Sequence, residues 1–248
     1  PGSTNVTIED VGITQYYAGI VVKSSGVRVV NSTVTQDGYG IVILGDDNAI
    51  YGSRVAGDNG DGVYVLGNST VIARSYVAGH EYGVNITGDD NDITDAAVNG
   101  VWSGIVITGS NNLIYGSNVT GYIFDGVYIA GNDTAILDSN VYGYNYGVYI
   151  TGNHTTIYRS GVASHDDGIN ITGDDNNVTD AVVKGAEGVN IYGSYNLIYG
   201  SNITGYIFNG IYLTGNHTAV LGSNIYGYYY GIHIRGDDNT VYGSHVAG

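Results

Sequence analysis

The sequence predicts an all-β protein, a parallel β-helix, and three observations carry that prediction. A glycine followed by Ile or Val recurs eleven times at intervals of 20 to 22 residues, at Gly19, Gly40, Gly62, Gly83, Gly104, Gly126, Gly147, Gly168, Gly188, Gly210 and Gly231. Four aliphatic columns keep step with these anchors. Gly, Asn and Asp crowd the intervals between the columns. A repeat of this length is the signature of a solenoid, in which each unit buries its apolar face only by stacking on the next.

Taken from the anchor onward, position +1 is Ile or Val in every unit, from Ile20 to Ile232, and position +3 is aliphatic from Val22 to Ile234. Two aliphatics separated by one residue share a face of a strand, whereas a helix would turn them apart. The +10 column runs from Val29 to Val241 and the +15 column from Val34 to Val246. The pattern predicts about 11–12 coils, each with three short strands at +1 to +3, +8 to +10 and +13 to +15, stacked at roughly 4.8 Å. A slip of one residue would turn the aliphatics outward, so the pattern also fixes register. Ser or Ala at +13, from Ser32 to Ser244, fits a small inward site beside a turn, and alternating Asn and Thr at +8, from Asn48 to Asn239, predicts a polar ladder inside the stack.

The beat is unbroken, which predicts a single domain over 1–248 with a four-coil super-repeat of about 84 residues. Gly83-Val-Asn-Ile-Thr-Gly-Asp-Asp-Asn reappears as Gly168-Ile-Asn-Ile-Thr-Gly-Asp-Asp-Asn, and Gly121-Tyr-Ile-Phe-Asp-Gly126 as Gly205-Tyr-Ile-Phe-Asn-Gly210. The single proline is Pro1 and glycines number 41. Hydrophobic content is 43% without a long apolar run, so no transmembrane span is read. Without cysteine there are no disulfides, thiolate metal sites or cysteine nucleophiles. The absence of methionine points to a chain processed or excised from something longer, or to Pro1-Gly2-Ser3 as a tag scar. A net charge of -16 makes nucleic acid and anionic membrane surfaces poor partners, and leaves cations and neutral sugars open.

Eleven Asn-x-Ser/Thr sequons are candidate glycosylation sites: Asn5, Asn31, Asn68, Asn85, Asn118, Asn132, Asn153, Asn170, Asn177, Asn202 and Asn216. Asn85 and Asn170 at +2, and Asn118 and Asn202 at +14, are expected to point outward. The competing reading makes these asparagines turn and ladder residues.

The unit G-[IV]-x-[IV]-x-G-x-x-[NT]-x-[IV]-x-x-[SA]-x-V-x-G resembles the right-handed parallel β-helix repeats of the pectate-lyase-like superfamily, closest to the short-coil NosD-like or carbohydrate-binding repeats of microbial, including archaeal, surface proteins. The resemblance covers the whole chain and implies a fold; the same scaffold carries enzymes, adhesins and structural proteins. The strongest enzymatic suggestion is Gly-Asp-Asp-Asn, which supplies Asp46 and Asp47, Asp89 and Asp90, Asp174 and Asp175, and Asp237 and Asp238. Paired aspartates resemble those of polygalacturonases, but the Gly-His-Gly and Arg-Ile-Lys stretches of that family are missing, and no neighbouring coils combine acids with a basic residue as the lyases do. A pair repeated at the same turn of four coils reads as architecture.

No cofactor is expected, except that the eight aspartates are weak candidates for calcium. Two carboxylates on one turn fall short of the six to eight oxygens calcium takes unless another chain contributes. The six histidines fall mostly in different columns, which gives copper or zinc no support. Outside the core, the +11 column carries Tyr51, Tyr115, Tyr158, Tyr199 and Tyr242, and the variable turns carry Tyr16, Tyr17, Tyr122, Phe124, Tyr206 and Phe208. Such a stripe predicts a contact surface, for another solenoid or for sugar rings. Ile8 and Ile13 open an incomplete leading coil and Gly248 stops in mid-coil, so uncapped ends are expected to stack on other copies or to have lost their caps. The first functional expectation is therefore a non-enzymatic extracellular or cell-surface protein, self-assembling end to end and side to side into a filament, sheath or surface layer. The alternatives are a carbohydrate-binding or polysaccharide-processing β-helix and an adhesin stalk.

Overall fold

The computed structural model describes residues 5–14, 17–36 and 38–248; Tyr16 and Pro1-Gly2-Ser3 lie outside them. It is a right-handed β-solenoid of three parallel sheets, with 12, 12 and 11 strands among the described residues and no helix. Sheet 1 holds strands such as Ala49–Tyr51, sheet 2 strands such as Arg54–Gly57, and sheet 3 strands such as Tyr39–Ile43, which contain the anchor glycine. Every strand pairs in register with its counterpart one coil away, so Ile50 meets Ile72 and Val55 meets Val77. The four aliphatic columns form one continuous core whose central members, Ile114, Ile136, Val127 and Ile150 among them, are fully buried.

Two strands begin one residue later than the sequence pattern predicts, at +9 and +14, and sheet 3 reaches back to the residue before the anchor in seven coils. The reason is local. Each coil turns at two left-handed residues, +7 and +12, such as Asp133 (φ 54°) and Asp138 (φ 50°). Where the residue that follows is Asn at +8 or Ser at +13, its side chain holds it in the turn. Ser139 accepts the amide of Ser117 (3.1 Å) and donates to the Leu137 carbonyl (2.8 Å). Asn112 accepts the amide of Asn91 (2.9 Å) and donates to the Gly88 carbonyl (3.0 Å). The polar ladder thus bonds side chain to backbone, which satisfies buried amides that the strands leave over.

The anchor glycine is explained by space. A Cβ on Gly126 would lie 2.5 Å from Val141 Cγ1 and 2.6 Å from the Gly147 carbonyl oxygen, so sheet 3 packs on the +15 valines only where no side chain intervenes.

Candidate functional site

The Asp-Asp turns take part in the hydrogen bonding of the stack. The first aspartate of three of the four pairs caps the next coil: Asp46 Oδ1 accepts the Asn68 amide (2.8 Å), Asp89 Oδ1 that of Ser110 (2.7 Å) and Asp174 Oδ1 that of Ser194 (2.6 Å). The second is left-handed, with φ of 56° at Asp47, 58° at Asp90, 55° at Asp175 and 53° at Asp238. Asp237 donates its amide to Asn216 Oδ1 (2.8 Å). The sequon residues Asn68, Asn132, Asn153 and Asn216 occupy the same column as the first aspartate and accept amides in the same way.

Asn5, Asn31, Asn118 and Asn202 are exposed, while Asn85 and Asn177 are half-buried. Asn170 departs from expectation. It lies on the outer side of its strand as predicted, yet is only 7% exposed, because neighbouring polar side chains on sheet 3 cover it. Tyr51, Tyr115, Tyr199 and Tyr242 are exposed and Tyr158 is half-buried on sheet 1; Tyr122, Phe124, Tyr206 and Phe208 are exposed on the turns that lead into sheet 3.

That last group borders a surface which sequence reasoning passed over, the outer face of sheet 3. Two positions of each coil face outward there, the residue before the anchor and the one at +2. Together they place Tyr39, Tyr64, Tyr82, Tyr128, Tyr146, Tyr149 and Tyr212 along one face. Ring contacts run along it: Tyr39 to Tyr64 (6.2 Å), Tyr82 to Trp102 (6.1 Å), Trp102 to Phe124 (6.3 Å) and Tyr128 to Tyr149 (5.3 Å). Set among the rings are four acids, Asp61, Asp125, Asp167 and Glu187.

Asp61 is 2% exposed; its carboxylate accepts the Tyr82 amide (3.2 Å) and Asn85 Nδ2 (3.1 Å). Burial nonetheless pushes its carboxyl up to about 6. Burial does the same to Asp125, also to about 6, opposed only by the Tyr146 amide. Asp125 stands in an open hollow of about 320 Å³ lined by Tyr82, Phe124, Tyr128, Tyr146 and Tyr149. Burial also raises Asp167 and Glu187. A carboxyl kept near neutrality in an apolar hollow can give up or take a proton at ordinary pH, the property a general acid needs.

A sequence signal for these acids exists. The three 22-residue coils place their extra residue in the turn before the anchor, and two of those turns, Asp58-Asn59-Gly60-Asp61 and Tyr122-Ile123-Phe124-Asp125, end in aspartate.

With the fold and this face in view, the comparisons place the chain among right-handed β-helix proteins. Residues 18–102 match the family model described as right handed beta helix region, and residues 98–244 match the one described as periplasmic copper-binding protein (NosD). The chain belongs to the NosD family.

Among solved structures it resembles the A-module of the mannuronan C-5 epimerase AlgE4 of Azotobacter vinelandii (12% identity, TM-score 0.80, covering 98% of this chain and 87% of that one). It also resembles the Dettilon tailspike protein (14% identity, TM-score 0.63, 95% and 61%) and a tailspike of the E. coli bacteriophage HK620 in complex with a pentasaccharide (11% identity, TM-score 0.55, 91% and 56%). The chain thus spans less than two thirds of either tailspike. At these identities the likeness is one of fold. A search of curated protein sequences returned no match.

The family description raises copper, and the residues present do not fit it. Cu(I) is selected by thiolate and thioether ligands, and Cu(II) by several nitrogen and oxygen ligands in a square-planar set. The chain has neither Cys nor Met, and among the described residues no three His, Asp or Glu side chains come together as a metal-binding group. His154 sits between Asp133 (4.0 Å) and Asp175 (3.8 Å), and His217 beside Asp238 (3.5 Å), each a lone imidazole on an exposed turn.

Proposed function

We propose that this protein binds a polysaccharide along the outer face of sheet 3, and that Asp125 is the proton-donating group of that site. The observation that carries the reading is the hollow that Tyr82, Phe124, Tyr128, Tyr146 and Tyr149 form around a carboxyl held at about 6. Tyrosine rings offer an apolar face to the C–H side of a sugar and a hydroxyl to its polar rim. A groove running across coils suits an extended chain better than a small molecule. The carbohydrate-linked neighbours, an epimerase module and a tailspike in complex with a pentasaccharide, support this reading over a filament subunit. The periplasmic description of the family supports a place outside the cytoplasm or in the envelope.

A glycan array of neutral and acidic polysaccharides, followed by reducing-end release from any hit, tests the proposal. The expected result is binding that Tyr146→Ala weakens at least tenfold, with any cleavage abolished by Asp125→Asn while binding survives. Silence on the array, or binding indifferent to Tyr146→Ala, would remove sheet 3 as the site. Electron microscopy at high protein concentration decides the filament alternative, for which ordered assemblies are required.

A further inference from the structure

We infer that Asp167 and Glu187, with the side-chain amides of Asn170, Asn190 and Asn209, form an all-oxygen site for a hard divalent cation of the calcium type on sheet 3. The inference is independent of the glycan reading.

The two acids occupy equivalent positions on adjacent coils and pair directly in the ladder, Asp167 against Glu187, with Asn170 against Asn190. Strand spacing therefore holds two carboxylates at roughly 4.8 Å in the backbone. Among the described residues no Lys, Arg or His forms an ion pair with either. Like charges directly opposite one another destabilise a sheet, so such a pair calls for a counter-charge.

The amides supply the second observation. Asn170 and Asn190 both turn Nδ2 toward Asp167 Oδ2, at 3.4 and 2.8 Å, and Asn209 Nδ2 donates to Glu187 Oε1 at 2.6 Å. Each amide thereby spends its nitrogen on a carboxylate and leaves its carbonyl oxygen as the free coordinating atom. All three of those oxygens, Asn170 Oδ1, Asn190 Oδ1 and Asn209 Oδ1, are buried without a hydrogen-bond partner. Asn170 and Asn190 are each 7% exposed. Buried polar atoms are nearly always satisfied, so three orphaned acceptors beside two carboxylates call for a donor or a cation there.

Asp167 Oδ1, Glu187 Oε2 and the three amide oxygens give five donors, which two waters would bring to the six to eight that calcium takes. The Asp-Asp turns lack this arrangement, since their first carboxylates already cap amides.

Terbium luminescence tests the site directly, because Tyr146 and Tyr192 lie close enough to Asp167 to feel its charge and to serve as sensitisers. Tb³⁺ titrated into chelator-stripped protein and excited through tyrosine should give saturable emission that Ca²⁺ displaces. The double variant Asp167→Asn/Glu187→Gln should weaken that phase at least tenfold, and Asp174→Asn, in the next turn of the same coil, should leave it unchanged. Asn190→Asp, which adds a carboxylate, should tighten it several-fold and guards against a double variant that fails to fold. Emission that Ca²⁺ does not displace, or that falls equally with Asp174→Asn, overturns the site and leaves a shared proton as the counter-charge.

Discussion

Asp125→Asn should make the protein more stable at alkaline pH and leave it unchanged in acid, which is the reverse of what a salt-bridged aspartate does. The carboxyl moves from 3.8 to about 6 on folding, with burial as the main cause. Such a displacement corresponds to about 3 kcal/mol between the two protonation states. The group is only half-buried, and solvent screening reduces the expected effect to about 2 kcal/mol.

The sign follows from proton binding. Below pH 3.8 both the folded and unfolded chains carry the proton, so the wild type bears no penalty. As pH rises toward 6 the unfolded chain releases its proton first, and wild-type stability falls until both states are ionised. Asparagine removes the charge while its Oδ1 can still accept the Tyr146 amide.

Thermal unfolding of both proteins at pH 4 and pH 8 reads the difference. At pH 8 a gain of ~2 kcal/mol raises the midpoint of a 248-residue chain by about 4–8 °C, and at pH 4 the two curves should nearly coincide. An equal difference at both pH values, or a loss at pH 8, would refute the assignment of a desolvated carboxyl.

Three further tests probe the stack itself. Asn112→Ala orphans the Asn91 amide and the Gly88 carbonyl and should lower stability by about 2–5 kcal/mol, whereas the exposed Asn140→Ala should cost less than ~0.5 kcal/mol; paired urea titrations compare them. Thr155→Asn should stabilise by about 1 kcal/mol, because Thr155 Oγ1 is buried without a partner and an asparagine there can cap the Thr134 amide; no change in the urea midpoint would contradict the ladder account. Gly126→Ala forces a Cβ to within 2.5–2.7 Å of Val141 Cγ1 and two backbone oxygens, so it should destabilise by about 1–3 kcal/mol or more and speed proteolysis near residues 121–150; a neutral result would mean that the coils can separate freely there.

The fold was legible because stacking is a one-dimensional problem. A column such as Ile114, Ile136 and Ile157 states its own register, since each member meets only its equivalents one coil away. The strand starts were misplaced by one residue for a reason the pattern does not encode: Asn and Ser at +8 and +13 point inward like strand residues, but their side chains are spent on backbone amides at the turn. The repetition of the Asp-Asp pairs at one turn anticipates the amide caps that Asp46, Asp89 and Asp174 make.

The candidate site was not legible, because a repeat is recognised by the columns that stay constant along the chain and the site lies in one that varies. Asp61, Asp125, Asp167 and Glu187 share a column with Ala18, Tyr39, Ser103 and Asn209, a mixture that looks unconstrained until the turn before it is seen to lengthen in the coils of Asp61 and Asp125. Burial on the outside of a solenoid, as at Asp61 and Asn170, is likewise invisible to a two-faced strand pattern, since it is produced by side chains of neighbouring coils.

A division of labour among columns follows, and it identifies where chemistry can reside. The aliphatic positions fill the core, +8 and +13 cap buried amides, +6 caps the outer turn, and the glycines admit the close approach of the sheets; a substitution at any of these is answered by the coils on either side. The residue before the anchor and the one at +2 on sheet 3 vary most freely in type, although some of them, Asp61 and Ser103 among them, still accept an amide of the next coil. A chain shaped by stability alone would place small neutral or β-branched residues there, as Ala18, Val21 and Val42 do at one end. Instead the central coils carry aromatic rings and acids whose carboxyls are driven upward by burial, and which lower stability at neutral pH. A destabilising group retained where the fold makes no demand for it is the kind of exception that binding or catalysis explains.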